Sequence, residues 1–206
     1  MRRSYLRFKL DRDDLDANPL TQLERWLAQA VQAKLLEPYA MSVSSVGADG
    51  QPSSRIVLLR SISERGLVFY TSYLSRKGQE MAANPRVSAL FYWGELERQV
   101  RIEGSIEQVG DDESDTYFAS RPRGHQIATW ASEQSEPLES RELIEQRVAD
   151  YTARFEGESV PRPHSWGGYL IRPARIEFWQ GRDNRLHDRF EFVKAGTSWR
   201  LQRLSP

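Results

Sequence analysis

Residues 53–71, Ser53-Ser54-Arg55-Ile56-Val57-Leu58-Leu59-Arg60-Ser61-Ile62-Ser63-Glu64-Arg65-Gly66-Leu67-Val68-Phe69-Tyr70-Thr71, decide the fold. The run Ile56-Val57-Leu58-Leu59 is too short for a core helix and rich in branched residues, so Ser53 to Ile62 reads as a strand. Glu64-Arg65-Gly66 is a turn, and Leu67 to Thr71 continues the sheet. Alternation puts Arg55, Val57 and Leu59 on one face and Ile56, Leu58 and Arg60 on the other. Apolar groups on both faces mean burial in a core or an interface, and the arginines at either end then need partners.

The same texture continues outward. Met41 to Val46 precedes this pair, across the turn Ala48-Asp49-Gly50. Val87 to Trp93 and Gln99 to Val109 follow it, joined by Gly94-Glu95-Leu96-Glu97. Gly168 to Gln180, Phe190 to Lys194 and Trp199 to Leu204 close the chain, for seven or eight strands in all. Short connections imply antiparallel pairing. Helices lie before and between the strands. Asn18-Pro19 is an N-cap with proline at the first helical position, and Leu20, Leu23, Trp26, Leu27, Ala30, Val31 and Leu35 recur at helical spacing over 19–36. Lys77 to Ala83 makes a short helix, and 111–156 is helical with an interruption near Arg121-Pro122-Arg123-Gly124. The fold class expected is mainly β, a closed or split antiparallel barrel with flanking helices, because such closure removes the sheet edges. Residues 1–17 are polar and charged and read as an arm or lid; 18–206 read as one domain.

Of 206 residues, 28% are charged and 39% hydrophobic, an ordinary globular balance. Zero formal net charge leaves no global field toward nucleic acid or an anionic membrane. Cysteine is absent, which excludes disulfides, thiolate metal sites and thiol nucleophiles. No stretch nears the roughly 20 apolar residues of a membrane span, and the cytoplasm is the expected location. No grouping of Asp, Glu and His has metal-ligand spacing, and no glycine-rich nucleotide motif appears.

Four segments bear on chemistry. Arg55 to Arg60 frames a strand with two guanidinium groups. Thr71-Ser72-Tyr73-Leu74-Ser75-Arg76-Lys77-Gly78 puts hydroxyls and two cations at a helix start; two cations there oppose the macrodipole unless an anion offsets them. Tyr117 to Arg123 adds Arg121 and Arg123, with His125 close behind. In Arg185-Leu186-His187-Asp188-Arg189, extended geometry would point Arg185, His187 and Arg189 to one face, and the arginines would favour neutral His187. Surface arginines and an ordinary serine cap are the bland alternatives for each segment.

Together these segments resemble the pyridoxamine 5'-phosphate oxidase family, almost from end to end. The resemblance is carried by Arg55-Ile-Val-Leu-Leu-Arg60, Phe69-Tyr-Thr71, Ser75-Arg-Lys-Gly78, Leu96-Glu-Arg-Gln-Val100, Ser120-Arg-Pro-Arg123, Ser132-Glu-Gln-Ser135, Glu177-Phe-Trp-Gln-Gly181 and Arg185-Leu-His-Asp-Arg189. It implies an antiparallel split β-barrel with flanking helices, in a homodimer with FMN at the subunit interface. FMN would be contacted by Arg55, Ile56, Val57, Leu58, Leu59, Arg60, Tyr70, Thr71, Arg76, Lys77, Gln99, Gln134, Ser135, Trp179 and Arg189. The substrate phosphate would meet Arg60, Tyr117, Arg121 and His125, while Arg185 and His187 act on the substrate ring and Arg2 and Tyr5 close over it. The implied reaction is oxidation of pyridoxamine or pyridoxine 5'-phosphate by O2 to pyridoxal 5'-phosphate and hydrogen peroxide, with ammonia released from the amine.

Two positions depart from the family pattern, which most often has Lys at Arg60 and Ser at His125. A flavin oxidase acting on a dihydrophenazine-type ring and a non-catalytic flavin or B6-phosphate binder are the alternative readings.

Overall fold

The computed structural model describes residue 5 and residues 7–206. Its strands are β1 (Ala40–Val46), β2 (Pro52–Leu58), β3 (Ser61–Ser63), β4 (Gly66–Ser72), β5 (Arg86–Trp93), β6 (Arg98–Gln108), β7 (Trp166–Gln180), β8 (Asp188–Ala195) and β9 (Ser198–Arg203). Its helices are α1 (Pro19–Gln32), α2 (Arg76–Ala83), α3 (Asp111–Ser120), α4 (Arg123–Ala131) and α5 (Arg141–Arg154). All strand pairs are antiparallel, in the order β2-β1-β5-β6-β7-β4-β3, with β8 and β9 continuing from β7. This is the mainly β, split-barrel arrangement with flanking helices that the sequence implies.

The split is built into β7. Its first half, from Trp166 to Ile171, pairs with β4, and its second, from Arg175 to Gln180, pairs with β8. Its other edge pairs with β6 from Tyr169 to Gln180, with a bulge where Glu103 faces Arg175 but Gly104 faces Pro173. Proline cannot donate to a ladder. A side chain on Gly104 would lie 2.1 Å from the Arg172 carbonyl oxygen, so only glycine allows the strands to approach there.

The core lies between α1 and the curled sheet. Leu23, Trp26, Leu27 and Ala30 are buried there with Met41, Phe91, Val100, Phe178 and Phe192. The Trp26 ring meets Phe178 edge-on at 5.1 Å between centres. Asn18 caps α1 by accepting the Leu20 N–H at 3.0 Å. The helix stops at Gln32, four residues short of the expected 36. Lys34 takes a left-handed φ of 56°, and the Leu35 N–H donates back to the Ala30 carbonyl, closing the end.

The stretch expected as one strand over 53–62 is broken. After Leu58 the Leu59 N–H donates to the Tyr39 carbonyl, but the Arg60 N–H donates to the Val68 carbonyl. The chain changes partners between these residues, from the β1 side to the β4 side, and Leu59 turns into the core while Arg60 stays exposed.

The segment 183–187 is not extended either. Asp183–Arg185 forms a 3-10 turn, with Asn184 and Arg185 left-handed at φ 53° and 62°. The simple alternation of Arg185, His187 and Arg189 on one strand face therefore fails; only Arg189 lies within β8.

Candidate active site

The main cavity, of about 930 Å³, opens beside β2, β4, α2 and the α3–α4 corner. The edge strand β2 contributes Arg55, Ile56, Val57 and Leu58 from both of its faces. Arg60, Tyr70, Thr71, Arg76 and Lys77 also line it, with Tyr117, Arg121 and His125 on the far side and Gln134 and Ser135 from the loop after α4. The break at Leu59 explains how Arg55 and Arg60, expected on opposite faces, border one space. Leu59 itself is 3% exposed and faces the core, away from the cavity.

Lys77 is the chemically revealing residue. Its ammonium is buried and donates to Thr71 Oγ1 at 3.2 Å, Ser75 Oγ at 3.2 Å and Gln134 Oε1 at 3.3 Å, all neutral acceptors. Burial pushes its pKa down to about 8, aided by nearby Arg55 and opposed by Glu80. Among the described residues no carboxylate forms an ion pair with Lys77, Arg60 or Arg121. Ser75 caps α2 at the Gly78 N–H, so the helix start is closed by an ordinary serine cap; of its two cations Arg76 pairs with Glu80 at 2.8 Å, while Lys77 has no ion pair among the described residues.

Arg55 is held in place by groups that the sequence did not single out. It donates to the Val43 carbonyl at 3.1 Å, Ser45 Oγ at 2.6 Å, Ser53 Oγ and Glu80 Oε2 at 3.1 Å. Glu80 also accepts from Ser45 and Ser53 at 2.6 Å and from Arg76 Nε at 2.8 Å. Burial alone would raise the Glu80 pKa; hydrogen bonds from Ser45, Ser53, Arg76 and Arg55 outweigh it and hold the group down at about 2. The i, i+4 spacing of Arg76 and Glu80 was a readable signal for this partnership.

The aromatic floor also contains a residue without a sequence motif. Tyr70 stacks on Tyr117 at 3.8 Å, and Trp166 lies nearly parallel to both. Arg121 places its guanidinium 4.5 Å from the Trp166 ring centre and donates to Thr129 Oγ1 at 2.7 Å. Burial pushes the Arg121 pKa down, Tyr117 opposes this and Arg60 adds to it. Gly167-Gly168 makes this packing possible: a Cβ on Gly168 would lie 2.8 Å from the Tyr70 ring.

A second cluster sits at the other end of β7. Gln99, Trp179 and Arg189 are register neighbours across β6, β7 and β8. Tyr5 packs edge-on against Trp179 at 5.8 Å and against His187 at 5.9 Å, and the Trp179 and His187 rings are 4.5 Å apart. A Cβ on Gly181 would meet the Tyr5 ring at 2.7 Å. The Arg182 N–H donates to His187 Nδ1 at 3.1 Å, which puts the imidazole proton on Nε2. Burial lowers the His187 pKa, Arg185 and Arg189 lower it further, and Asp188 opposes them. Arg189 pairs with Glu177 at 2.7 Å. Arg185 is exposed beside this cluster. Arg2 lies outside the described residues.

Thus the candidate residues form two groups. Gly168, packed under Tyr70, and Trp179 are eleven positions apart on β7, roughly 36 Å along an extended strand. One copy of the chain presents a cation-lined cavity at one place and an aromatic–imidazole cluster at another.

Fold and site together define a split-barrel protein with a cation-lined cavity. The family models agree: residues 27–155 match the model described as pyridoxamine 5'-phosphate oxidase, and 166–206 match the pyridoxine 5'-phosphate oxidase C-terminal dimerisation region. The chain belongs to the pyridoxamine 5'-phosphate oxidase family. It is 56% identical over its whole length to a pyridoxine/pyridoxamine 5'-phosphate oxidase of Rubrobacter xylanophilus, covering 95% of that protein. Identity is 54% to the protein of that name from Cupriavidus pinatubonensis, again over the whole chain and 97% of the relative. Among solved structures, PhzG from Burkholderia lata 383, in complex with tetrahydrophenazine-1-carboxylic acid, superposes with a TM-score of 0.89 at 35% identity, covering 94% of this chain and 95% of that one. No helix among the described residues is long and apolar enough to cross a membrane.

Proposed function

We propose that this chain is an FMN-dependent oxidase that converts pyridoxamine 5'-phosphate, and pyridoxine 5'-phosphate, to pyridoxal 5'-phosphate in the cytoplasm. The observation that carries the reading is Lys77, a buried ammonium whose hydrogen bonds among the described residues go to neutral oxygens, at the edge of a cavity that also holds Arg60 and Arg121, neither in an ion pair among the described residues. Such a constellation favours anionic ligands. Two phosphorylated molecules, cofactor and substrate, account for cations on both walls.

The FMN phosphate fits Arg55, Arg76 and Lys77, with Thr71, Gln134 and Ser135 supplying polar contacts. The cavity has the size of a cofactor site. Bound FMN supplies a two-electron acceptor that O2 can reoxidise, with hydrogen peroxide as product. Arg60, Tyr117, Arg121 and His125 grip the substrate phosphate away from the reacting carbon, so binding energy there orients the ring. Arg185 and His187 hold the ring, and neutral His187 offers its Nε2–H as a donor. Because the two groups of residues lie at opposite ends of β7, a complete site joins the cavity of one copy to the Trp179–His187 cluster of another. The match of 166–206 to a dimerisation region supports this homodimer, as do exposed Ile56 and Tyr92 on the outer sheet face.

The test is direct. Purified protein is checked for flavin absorbance and mixed with pyridoxamine 5'-phosphate in air while pyridoxal 5'-phosphate and peroxide are followed. Both products appearing, in an FMN-dependent manner, is the expected result. Bound flavin without either product would retire the substrate assignment. Oxidation of a dihydrophenazine carboxylate would then be assayed, since the PhzG relative binds a tetrahydrophenazine acid. Flavin binding with no turnover on either ring would leave a binding protein.

A further inference from the structure

We propose that Asp188 is a positioning residue that clasps the N-terminal segment over His187, so that Tyr5 seals the imidazole against Trp179. The role rests on the oxidase reading only in that His187 acts there on the substrate ring.

Asp188 joins three stretches of chain. Its Oδ2 accepts the Leu10 N–H at 3.1 Å and lies 3.6 Å from Arg182 Nε. Its Oδ1 accepts from Arg203 Nη1 at 3.1 Å, and the other arm of that guanidinium reaches Asp11 at 3.0 Å. The carboxylate thus ties residues 10 and 11 to the last strand and to the turn that carries Arg182. Arg182 also donates to the Phe8 carbonyl at 3.3 Å, and the Arg7 N–H donates to Glu97 at 3.2 Å. With the segment anchored, Tyr5 lies in the notch above Gly181, against both rings. Three charged groups bear on His187 from its own stretch: Arg185, Arg189 and Asp188. Among the described residues it meets Tyr5 of the N-terminal segment, the uncharged Trp179 of β7 and the Arg182 N–H of the turn.

The clasp separates two effects of opposite sign. Removing the Asp188 carboxylate deprives His187 of a nearby negative charge, which by itself lowers the imidazole pKa. Releasing the segment admits water, which raises it. Full-length, FMN-loaded protein with isotope-labelled histidine carries only three imidazoles, at His125, His164 and His187, and His187→Gln assigns the signal. In Asp188→Ala the His187 titration should move upward toward the ordinary imidazole value near 6.5, and trypsin should cut faster at Arg7 and Lys9. Asp11→Asn, a change at an exposed residue, should shift both readouts in the same direction by less. A downward or unchanged His187 titration in both variants overturns the clasp. Because neither readout requires turnover, failure of the oxidase assay with an intact titration shift would retire the substrate and leave the clasp standing.

Discussion

Arg55 and Glu80 meet at 3.1 Å beneath the cavity wall, and both are largely buried. Two hydroxyls and a second arginine complete the shell of Glu80, so Arg55 faces the cavity from a fixed position. Glu80 holds its charge well below the ordinary carboxylate range. A depressed carboxylate stabilises the fold above its unfolded pKa, and that contribution is lost as pH falls from about 4.5 to about 2. Glu80→Gln should therefore be destabilised at neutral pH by about 3 kcal/mol, because Arg55 is left buried beside a neutral amide. Its deficit relative to the parent should shrink below pH 4; chemical denaturation at pH 7 and pH 3 checks both halves of this expectation.

Lys77 should make flavin binding pH-dependent. Its folded pKa of about 8 lies below the ordinary 10.5. Between these values the flavin-free fold sheds a proton that the unfolded chain keeps, so its stability rises with pH in that window. A phosphate ligand needs the protonated form, so FMN affinity should be level below pH 8 and decline above it. Lys77→Met should bind FMN about 10- to 100-fold more weakly, as expected for a lost charge-assisted hydrogen bond, and without that decline. Fluorescence quenching of FMN across pH 6.5 to 9.5, a range chosen to bracket the transition, would contradict this if both proteins showed the same slope.

Arg185 projects from a left-handed turn next to His187 and does not line the cation-lined cavity. Arg185→Leu should cut turnover by about 100-fold, the scale of losing one transition-state donor. Flavin retention after gel filtration should stay within about threefold of the parent, since no flavin-phosphate contact is removed. Parental turnover in this variant would remove Arg185 from the reaction.

Gly168 tests the aromatic floor. A methyl group there would meet Val109 at 2.6 Å and Tyr70 at 2.8 Å, so Gly168→Ala must displace the ring that stacks on Tyr117. The expected loss is about 1–3 kcal/mol, as for overpacking elsewhere, visible as a lower thermal midpoint. An unchanged midpoint would mean that the Tyr70 stack yields freely.

The regular elements were legible because hydrophobic period and turn chemistry are local properties. The strand textures around Val43, Val68, Phe91 and Ile102, and the α1 stripe of Leu23, Trp26, Leu27 and Ala30, all found their elements. What could not be read was irregular or long-range. The left-handed residues Lys34, Asn184 and Arg185 carry no glycine signal, so the α1 end and the 183–187 turn departed from simple periodicity. The partner change at Leu59–Arg60 depends on β4, which is paired from across the sheet. Glu80, Ser45 and Ser53 became visible only once three separate segments met around Arg55. Trp166 had no motif, and its place under Arg121 is a product of packing.

The distance along β7 between Tyr70's neighbour Gly168 and Trp179 also has a genetic consequence. In the proposed homodimer each polypeptide carries two unlike half-sites, so damage to one half leaves the other intact. A chain disabled at Lys77 and a chain disabled at Arg185, when co-expressed, would form mixed pairs in which one composite site inherits both lesions and the other inherits none. Two alleles that are each inactive could then restore part of the activity in one cell, whereas two lesions within the same half could not.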